Sequence, residues 1–81
     1  MAYFAYILIS EEFGRRYFGS CSNLEQRLAD HNAGKVRSTK AYRPYRIHYF
    51  EVFESRTEAR KRELFFKSVD GYKYLKEKGI I

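Results

Sequence analysis

The sequence predicts an α+β fold in which a small three-stranded antiparallel sheet is flanked by helices, in the order β-β-α-β-α-α. Three observations predict this class. An uncharged run over residues 3–9 is rich in aromatic and β-branched residues, a polar turn ending in glycine follows it, and two later segments open with Ser-x-x-Glu patterns that cap helices. Because the chain has 81 residues, we expect one domain over residues 1–81 with a modest core.

Three strands are predicted along the chain. Residues 3–9 carry apolar side chains on both faces, a pattern typical of a strand buried on both sides. Residues 10–14 form the turn, and residues 15–19 return as the second strand of an antiparallel hairpin. The third strand is predicted over residues 46–54.

The first helix follows the hairpin directly. Ser22 and Glu25 fit a capping box with Ser22 as the N-cap, and the helix is expected to end near Asn32. At about 100° per residue, Arg27 and His31 fall beside the apolar stripe of this helix. The border of a buried stripe is an unusual position for an arginine unless an anionic partner faces it.

Two further helices are predicted after the third strand. Ser55 caps the first of these, which is expected to run to about residue 68. Its inward face has apolar residues at helical spacing, and Glu63 interrupts that face. Asp70 is expected to cap a final short helix that ends before Gly79.

The charge balance favours an anionic partner. Sixteen Lys and Arg residues against ten Asp and Glu residues give a net charge of +6, which attracts polyanions such as nucleic acid or an anionic membrane surface. The alternative is that the positive net charge serves solubility alone. No apolar run approaches the length of a membrane span and no signal peptide is visible. Since the single cysteine, Cys21, cannot form an internal disulfide, we expect a cytoplasmic protein. We expect its partner to be nucleic acid, DNA in particular, and not a membrane.

A segment that we call the basic arm, residues 35–46, lies between the first helix and the third strand. Residues 31–50 contain no acidic side chain, and Tyr42 and Tyr45 alternate with the basic residues. This composition suits phosphate contacts and base stacking, although a solvated loop whose tyrosines pack on the core is the alternative. The candidate nucleic-acid-binding residues are Lys35, Arg37, Lys40, Arg43 and Arg46.

A few residues have side chains suited to phosphodiester hydrolysis, which requires activation of water, neutralisation of the charge that develops on phosphorus, and help for the leaving oxygen. Arg27 suits the second task because its planar fork matches phosphate oxygens, and Glu63 could hold a metal ion for the third. Each residue also has an ordinary structural interpretation. Arg27 and Glu63 could form ion pairs, Tyr6 and Tyr17 could be core aromatics, and His31 could be a cation at a helix C-terminus.

Together these residues match a known pattern. The motif elements are Ala5-Tyr6-Ile7, with alanine where the family name has glycine, and Tyr17-Phe18-Gly19, with phenylalanine in place of isoleucine. With the phrases NLEQRLADHNAGK and SRTEARKRELFFK, the chain resembles the GIY-YIG nuclease domain over essentially its whole length. It looks especially like the small stand-alone bacterial members, and it is similar to the N-terminal nuclease domain found in the C component of the ABC excinuclease.

The resemblance implies a three-stranded sheet flanked by helices and cleavage of phosphodiester bonds with a single Mg²⁺ or Mn²⁺ ion. The metal-ligating glutamate of the family falls on Glu63, and its catalytic arginine falls on Arg27, which would stabilise transition-state charge. Gly19 would let the backbone pass closely at the start of the helix. Many members also carry a supporting asparagine near the C-terminus, whereas no asparagine follows Asn32 here.

The resemblance also implies that Tyr6 is the general base for water, aided by His31, and that Tyr17 orients water or phosphate. An unperturbed phenol has a pKa of about 10, so only about 0.1% is ionised at neutral pH. Nearby Arg27, metal-bound water or proton transfer to His31 must therefore favour the phenolate.

Three functions follow from these expectations. The first is a metal-dependent endonuclease acting on DNA, in repair or recombination, and the second is a nucleic-acid-binding module of the same fold without turnover. The third is a protein-interaction domain or homodimer that uses a tyrosine-rich surface formed by Tyr42, Tyr45, Tyr72 and Tyr74.

Overall fold

The computed structural model describes all 81 residues and confirms the predicted α+β class and element order. None of its helices is long and apolar enough to cross a membrane. A 3₁₀ turn, Lys40–Tyr42, lies within the basic arm. The main elements are β1 (Tyr3–Ser10), β2 (Arg16–Cys21), α1 (Leu24–Asn32), β3 (Tyr45–Phe53), α2 (Arg56–Phe66) and α3 (Val69–Glu77).

Strand β1 is the centre of the sheet and is buried on both faces, as its sequence predicts. The strand order is β2-β1-β3, and both neighbours pair with β1 in antiparallel orientation. Ala5 and Ile7 pack on one face against α2 and α3. Tyr6 and Leu8 pack on the other face, which is covered by α1. The alternation of side chains along one strand thus divides the core into two layers.

The start of α1 differs from the prediction by one residue. Asn23, not Ser22, is the N-cap, and its side-chain oxygen accepts from the Gln26 amide at 3.0 Å. A cap must reach an amide two or three residues further on, and Asn23 has the extended backbone from which its side chain does so. Glu25 therefore lies in the first turn and is not the third helical residue of a capping box.

The two C-terminal helices begin at serine caps. Ser55 caps α2 as predicted, because its side chain accepts from the Glu58 amide. The predicted cap of α3, Asp70, is wrong: Ser68 accepts from the Gly71 amide at 3.0 Å, and α3 begins two residues earlier. Asp70 instead contributes a negative charge to the first turn of α3, where it complements the helix dipole.

The end of α1 is tied to the start of β3. Gly34 follows the helix with a φ of +79°, the left-handed conformation expected just beyond a helix end. Asn32 donates to the Tyr45 carbonyl oxygen at 3.0 Å and accepts from the Tyr45 amide at 2.7 Å. These two bonds fix the two ends of the basic arm relative to each other.

Candidate active site

Four of the predicted site residues meet on the α1 face of the sheet, and we call them the Tyr–His cluster: Tyr6 on β1, Tyr17 on β2, and Arg27 and His31 on α1. The Tyr6 hydroxyl lies 3.3 Å from His31 Nε2, and the rings of Tyr17 and His31 are 4.7 Å apart between centroids. Strand pairing places the two tyrosines diagonally on one face, because Tyr17 lies opposite Leu8, two residues along β1 from Tyr6. The helical spacing of four residues turns Arg27 and His31 toward them.

Gly19 makes room for Tyr6. The two residues are opposite each other in the antiparallel register of β1 and β2. The Tyr6 ring lies across the Gly19 backbone so closely that a Cβ at residue 19 would be 2.6 Å from the Tyr6 Cζ atom. Close passage is therefore required here, as expected, but it is the ring of Tyr6 that passes over Gly19.

His31 is completely buried, at 0% exposed. The pKa of His31 is lowered to about 4, mainly by burial and also by the positive charge of Arg27, while Asp30 opposes the shift. The expectation of a cation at the helix C-terminus is therefore wrong, because removal from water disfavours the imidazolium. At neutral pH, His31 is an uncharged ring, and its Nε2 atom is the hydrogen-bond partner of the Tyr6 hydroxyl.

Tyr6 is 1% exposed and uncharged in the resting protein. Burial raises the pKa of Tyr6 well above its ordinary value, while its contact with Arg27 lowers it by less. Of the three routes to phenolate considered from the sequence, the proximity of Arg27 alone is thus insufficient. Since His31 Nε2 is the hydrogen-bond partner of Tyr6, transfer of the proton to His31 is the route that the geometry offers.

Arg27 has no carboxylate partner. All ion pairs of the chain involve other residues, so the structural salt bridge considered from the sequence does not form. Polar contact with Tyr6 raises the pKa of Arg27. A half-buried guanidinium without a counter-ion is well suited to bind an anion such as phosphate.

Glu63 lies outside the Tyr–His cluster. It is on α2, which packs on the other face of the sheet, and is 5% exposed. Its Oε1 accepts from Ser20 Oγ at 2.7 Å, and its Oε2 is 2.7 Å from both Arg60 Nη1 and Lys67 Nζ. Burial opposes ionisation of Glu63, but hydrogen bonds from Lys67, Ser20 and Arg60 outweigh it and lower the pKa, so the carboxylate is charged.

Glu63 and the Tyr–His cluster both lie next to β2, which is an edge strand of the sheet. Gly19 lies under Tyr6, and the next residue, Ser20, holds Glu63. No hydrogen bond or ion pair joins Glu63 to the cluster itself. The carboxylate and the cluster therefore flank one edge strand from opposite faces.

The donor set around Glu63 fits a metal ion only in a particular way. No group of three or more His, Cys, Asp or Glu side chains is close enough to hold a metal. Mg²⁺ commonly binds one or two carboxylates and keeps water and phosphate oxygens as its other ligands, which a lone Glu63 satisfies. Both Glu63 oxygens already accept hydrogen bonds. A metal ion must therefore compete with Arg60 and Lys67, whose side chains are partly exposed.

The basic arm separates its charges from its aromatic rings. Tyr45 is 4% exposed, and the half-buried Tyr42 packs edge-on against Phe13 and beneath the Arg15 guanidinium. Tyr45 is therefore unavailable for base stacking, and both tyrosines pack on the core, as the alternative predicts. All five predicted nucleic-acid-binding side chains are exposed, namely Lys35, Arg37, Lys40, Arg43 and Arg46.

Two hydroxyl residues of the site escaped the sequence analysis. Ser20 bonds Glu63 across 43 positions of sequence, and Thr39 Oγ1 lies 2.8 Å from His31 Nδ1. Serine and threonine are common in strands and loops, so neither carries a signal by itself. Ser20 directly follows the Tyr17-Phe18-Gly19 element, and this adjacency is the clue that could have found it.

Comparison with known proteins identifies the family. The family model described as the GIY-YIG catalytic domain matches residues 2–74. The chain therefore belongs to the GIY-YIG family, a family of nucleases that generally use divalent metal ions.

Within this family the chain is similar to small bacterial UPF0213 proteins. One from Bacillus licheniformis is 35% identical over 81 residues, covering 95% of this chain and 82% of that protein. One from Staphylococcus haemolyticus is 43% identical over 61 residues, covering 74% of each chain. The solution NMR structure of a UPF0213 protein from Bacillus halodurans matches with a TM-score of 0.54 and 28% identity, covering 95% of this chain and 84% of that one.

Gly19→Ala is expected to displace the Tyr6 ring and to lower the free energy of unfolding by about 1–3 kcal/mol, the usual cost of overpacking a tight core. Urea denaturation measures the loss. Repeating the substitution in a Tyr6→Leu background, where the contacting ring atoms are absent, should remove most of the cost. An equal cost in both backgrounds would show that Tyr6 is not what Gly19 accommodates.

Acidification is expected to destabilise the fold through His31. The pKa of His31 is about 4 in the folded protein and about 6.5 in an unfolded chain, so the unfolded state binds the extra proton first. Stability is therefore full above pH 6.5 and falls as the pH drops toward 4, by up to about 3 kcal/mol from this group.

Urea denaturation between pH 4 and pH 7 measures this dependence. His31→Gln should reduce the slope of unfolding free energy against pH by an amount that corresponds to at most one bound proton. His48→Gln, at the exposed histidine, should leave this slope unchanged. An unchanged slope in His31→Gln would contradict a buried neutral imidazole.

Proposed function

We propose that this chain is a metal-dependent endonuclease that hydrolyses phosphodiester bonds in DNA, as one nuclease domain spanning residues 1–81. The observation that carries the proposal is the Tyr–His cluster, in which a buried tyrosine bonded to a neutral histidine lies beside an arginine without a counter-ion. The positive charge of the chain suits nucleic acid, and its free cysteine suits a reducing bacterial cytoplasm. A role in DNA repair or recombination is part of the proposal.

In the proposed mechanism, Tyr6 and His31 act as a proton-accepting pair. A proton of the attacking water moves to the Tyr6 oxygen while the Tyr6 hydroxyl proton moves to His31 Nε2, so no free phenolate is needed. The water oxygen bonds to phosphorus, the bond from phosphorus to the leaving oxygen breaks, and that oxygen takes a proton from solvent. The anionic phosphate favours the transient imidazolium, and general base catalysis of this kind contributes about 10²–10⁴ in rate.

Arg27 and Tyr17 bind the reacting phosphate. The guanidinium of Arg27 can donate to two phosphate oxygens at once and stabilises the charge that develops on them. The Tyr17 ring packs against His31 at the side of the cluster, where its hydroxyl orients water or phosphate.

Glu63 is the metal ligand in this proposal and would hold a single Mg²⁺ or Mn²⁺ ion. When bound, such an ion supplies Lewis-acid stabilisation of the leaving oxygen. Ser20 orients the carboxylate from the sheet side, and Arg60 and Lys67 keep it ionised until substrate arrives. Because the carboxylate and the cluster lie on opposite sides of β2, the reacting phosphate would have to lie at the edge of this strand, between them.

A second candidate function is nucleic-acid binding without turnover. Glu63 favours it, since its oxygens are already occupied by protein donors and no second carboxylate lies beside it. The third function considered, a tyrosine-rich interaction surface, loses its basis. Of the four tyrosines, Tyr45 is buried, Tyr42 and Tyr74 are half-buried, and only Tyr72 is exposed.

Cleavage of branched, nicked, single-stranded and duplex DNA by the purified protein tests the proposed function. We expect products with Mg²⁺ or Mn²⁺ and none with a chelator. Glu63→Gln and Arg27→Ala should each lower the rate about 100-fold or more, because one removes the metal ligand's charge and the other a charge-stabilising donor.

Glu54→Gln and Arg16→Ala are matched controls, because both residues are exposed and their replacement removes the same charges elsewhere. Cleavage that persists in Glu63→Gln and Arg27→Ala would eliminate the proposed site. DNA binding with no metal-dependent product on any substrate would instead favour the binding module.

The basic arm is expected to bind the DNA backbone. Arg37 and Lys40 are exposed and their side chains bond to no other part of the protein. Replacing both with alanine should weaken DNA binding and reduce the slope of log affinity against log salt by about one unit for each phosphate that is no longer neutralised.

The double variant Lys73→Ala, Lys76→Ala is the control. It removes the same number of positive charges as the variant of the basic arm, but at exposed positions on α3. Fluorescence anisotropy over a salt series measures both variants. If the two double variants weaken binding equally, total charge and not the basic arm determines affinity.

A further inference from the structure

Thr39 lies in the middle of the basic arm, yet its side chain is buried. It is 1% exposed, and its Oγ1 lies 2.8 Å from His31 Nδ1, the ring nitrogen on the opposite side from Tyr6. The same Oγ1 lies 3.3 Å from the Val36 carbonyl oxygen. The arm therefore places a single hydroxyl between a histidine ring and a backbone acceptor.

One arrangement of hydrogens satisfies all of these groups. In this arrangement the Thr39 hydroxyl donates to the Val36 carbonyl, which also accepts the backbone amides of Thr39 and Lys40, and the hydroxyl accepts from His31 Nδ1–H. Nε2 then carries no hydrogen and accepts from the Tyr6 hydroxyl.

The reversed arrangement leaves a hydrogen without an acceptor. If Thr39 donated to Nδ1, the Nε2–H of His31 would donate to Tyr6. The Tyr6 hydroxyl hydrogen would then need another acceptor, and the Arg27 side chain that contacts Tyr6 has donors only. An unsatisfied buried hydroxyl is unfavourable.

We infer that Thr39 is a positioning residue that holds His31 in its Nδ1-protonated tautomer and so keeps Nε2 open to the Tyr6 proton. Thr39 touches no reacting group itself and acts through His31. The inference about the tautomer stands on hydrogen-bond geometry, whereas its catalytic consequence rests on the proposed nuclease function.

The position of Thr39 also gives the basic arm a second role. The backbone amides of Thr39 and Lys40 both donate to the Val36 carbonyl, which fixes the turn that carries the hydroxyl. The segment that presents exposed cations to DNA is thus the same segment that orients the buried histidine. Exposed residues of the arm can change without affecting the tautomer, whereas residue 39 must keep its hydroxyl.

Nitrogen NMR of the uniformly ¹⁵N-labelled full-length protein at pH 7 tests the tautomer without any need for activity. In the wild type, His31 should show a protonated Nδ1 and an unprotonated Nε2. Thr39→Val, which keeps the shape and removes the hydroxyl, should shift the population toward protonated Nε2. Thr39→Ser should preserve the wild-type pattern, and Ser38→Ala, at the exposed neighbour, should preserve it as well.

A wild-type His31 protonated at Nε2 would overturn the inference, and so would an unchanged tautomer in Thr39→Val. If Thr39→Val does not fold, Thr39→Ala provides the hydroxyl-free spectrum, and the wild-type spectrum decides the tautomer in any case.

The kinetic measurement separates this inference from the proposed function. On a DNA that is cleaved, Thr39→Val should lower kcat about 10- to 100-fold with little change in KM, and Thr39→Ser should restore most of it. A wild type with the expected tautomer and no cleavage would end the proposed function and leave the positioning of His31 by Thr39 intact.

Discussion

Strand β1 must be covered on both faces, and the other elements are arranged around that requirement. Its alternating side chains enter two separate core layers, with α2 and α3 over one and α1 over the other. Tyr6 lies in the middle of the strand, so its hydroxyl is withdrawn from water and needs a partner within the protein. His31 meets that need from α1, Thr39 supports His31 from the basic arm, and Gly19 leaves the space that the Tyr6 ring occupies.

The candidate site combines two electrostatic environments that a single pocket could not easily hold. On the α1 face, burial keeps Tyr6 and His31 uncharged in the resting protein, and the hydrogen bond between them links the two side chains. On the α2 face, cationic side chains keep Glu63 charged despite its burial. Strand β2 separates the two environments, and Gly19 and Ser20 show how neighbouring residues of one strand serve opposite faces.

The basic arm connects the surface of the molecule with this interior. Its exposed cations suit a phosphate backbone, whereas its tyrosines and Thr39 anchor it to the sheet and to His31. The Asn32 side chain closes the arm at its base through two bonds to Tyr45. A segment that would pass for a solvated loop by composition is therefore held at several points, and this makes it a suitable frame for both DNA binding and histidine orientation.

The sequence by itself determined the fold class, the double-sided burial of β1, the Ser55 cap and the inward position of Glu63, because hydrophobic periodicity and capping patterns are local properties. It also identified the residues of the Tyr–His cluster through the family resemblance. The sequence misplaced the caps at Ser22 and Asp70, because a second polar residue nearby, Asn23 or Ser68, is the one whose side chain accepts from a helix amide. Only the tertiary structure decided that His31 is neutral, that Arg27 lacks a counter-ion, that Glu63 lies across β2 from the cluster, and that Thr39 faces inward. Charge state and hydrogen-bond partners depend on burial and on contacts between residues far apart in the chain, and no local pattern encodes them.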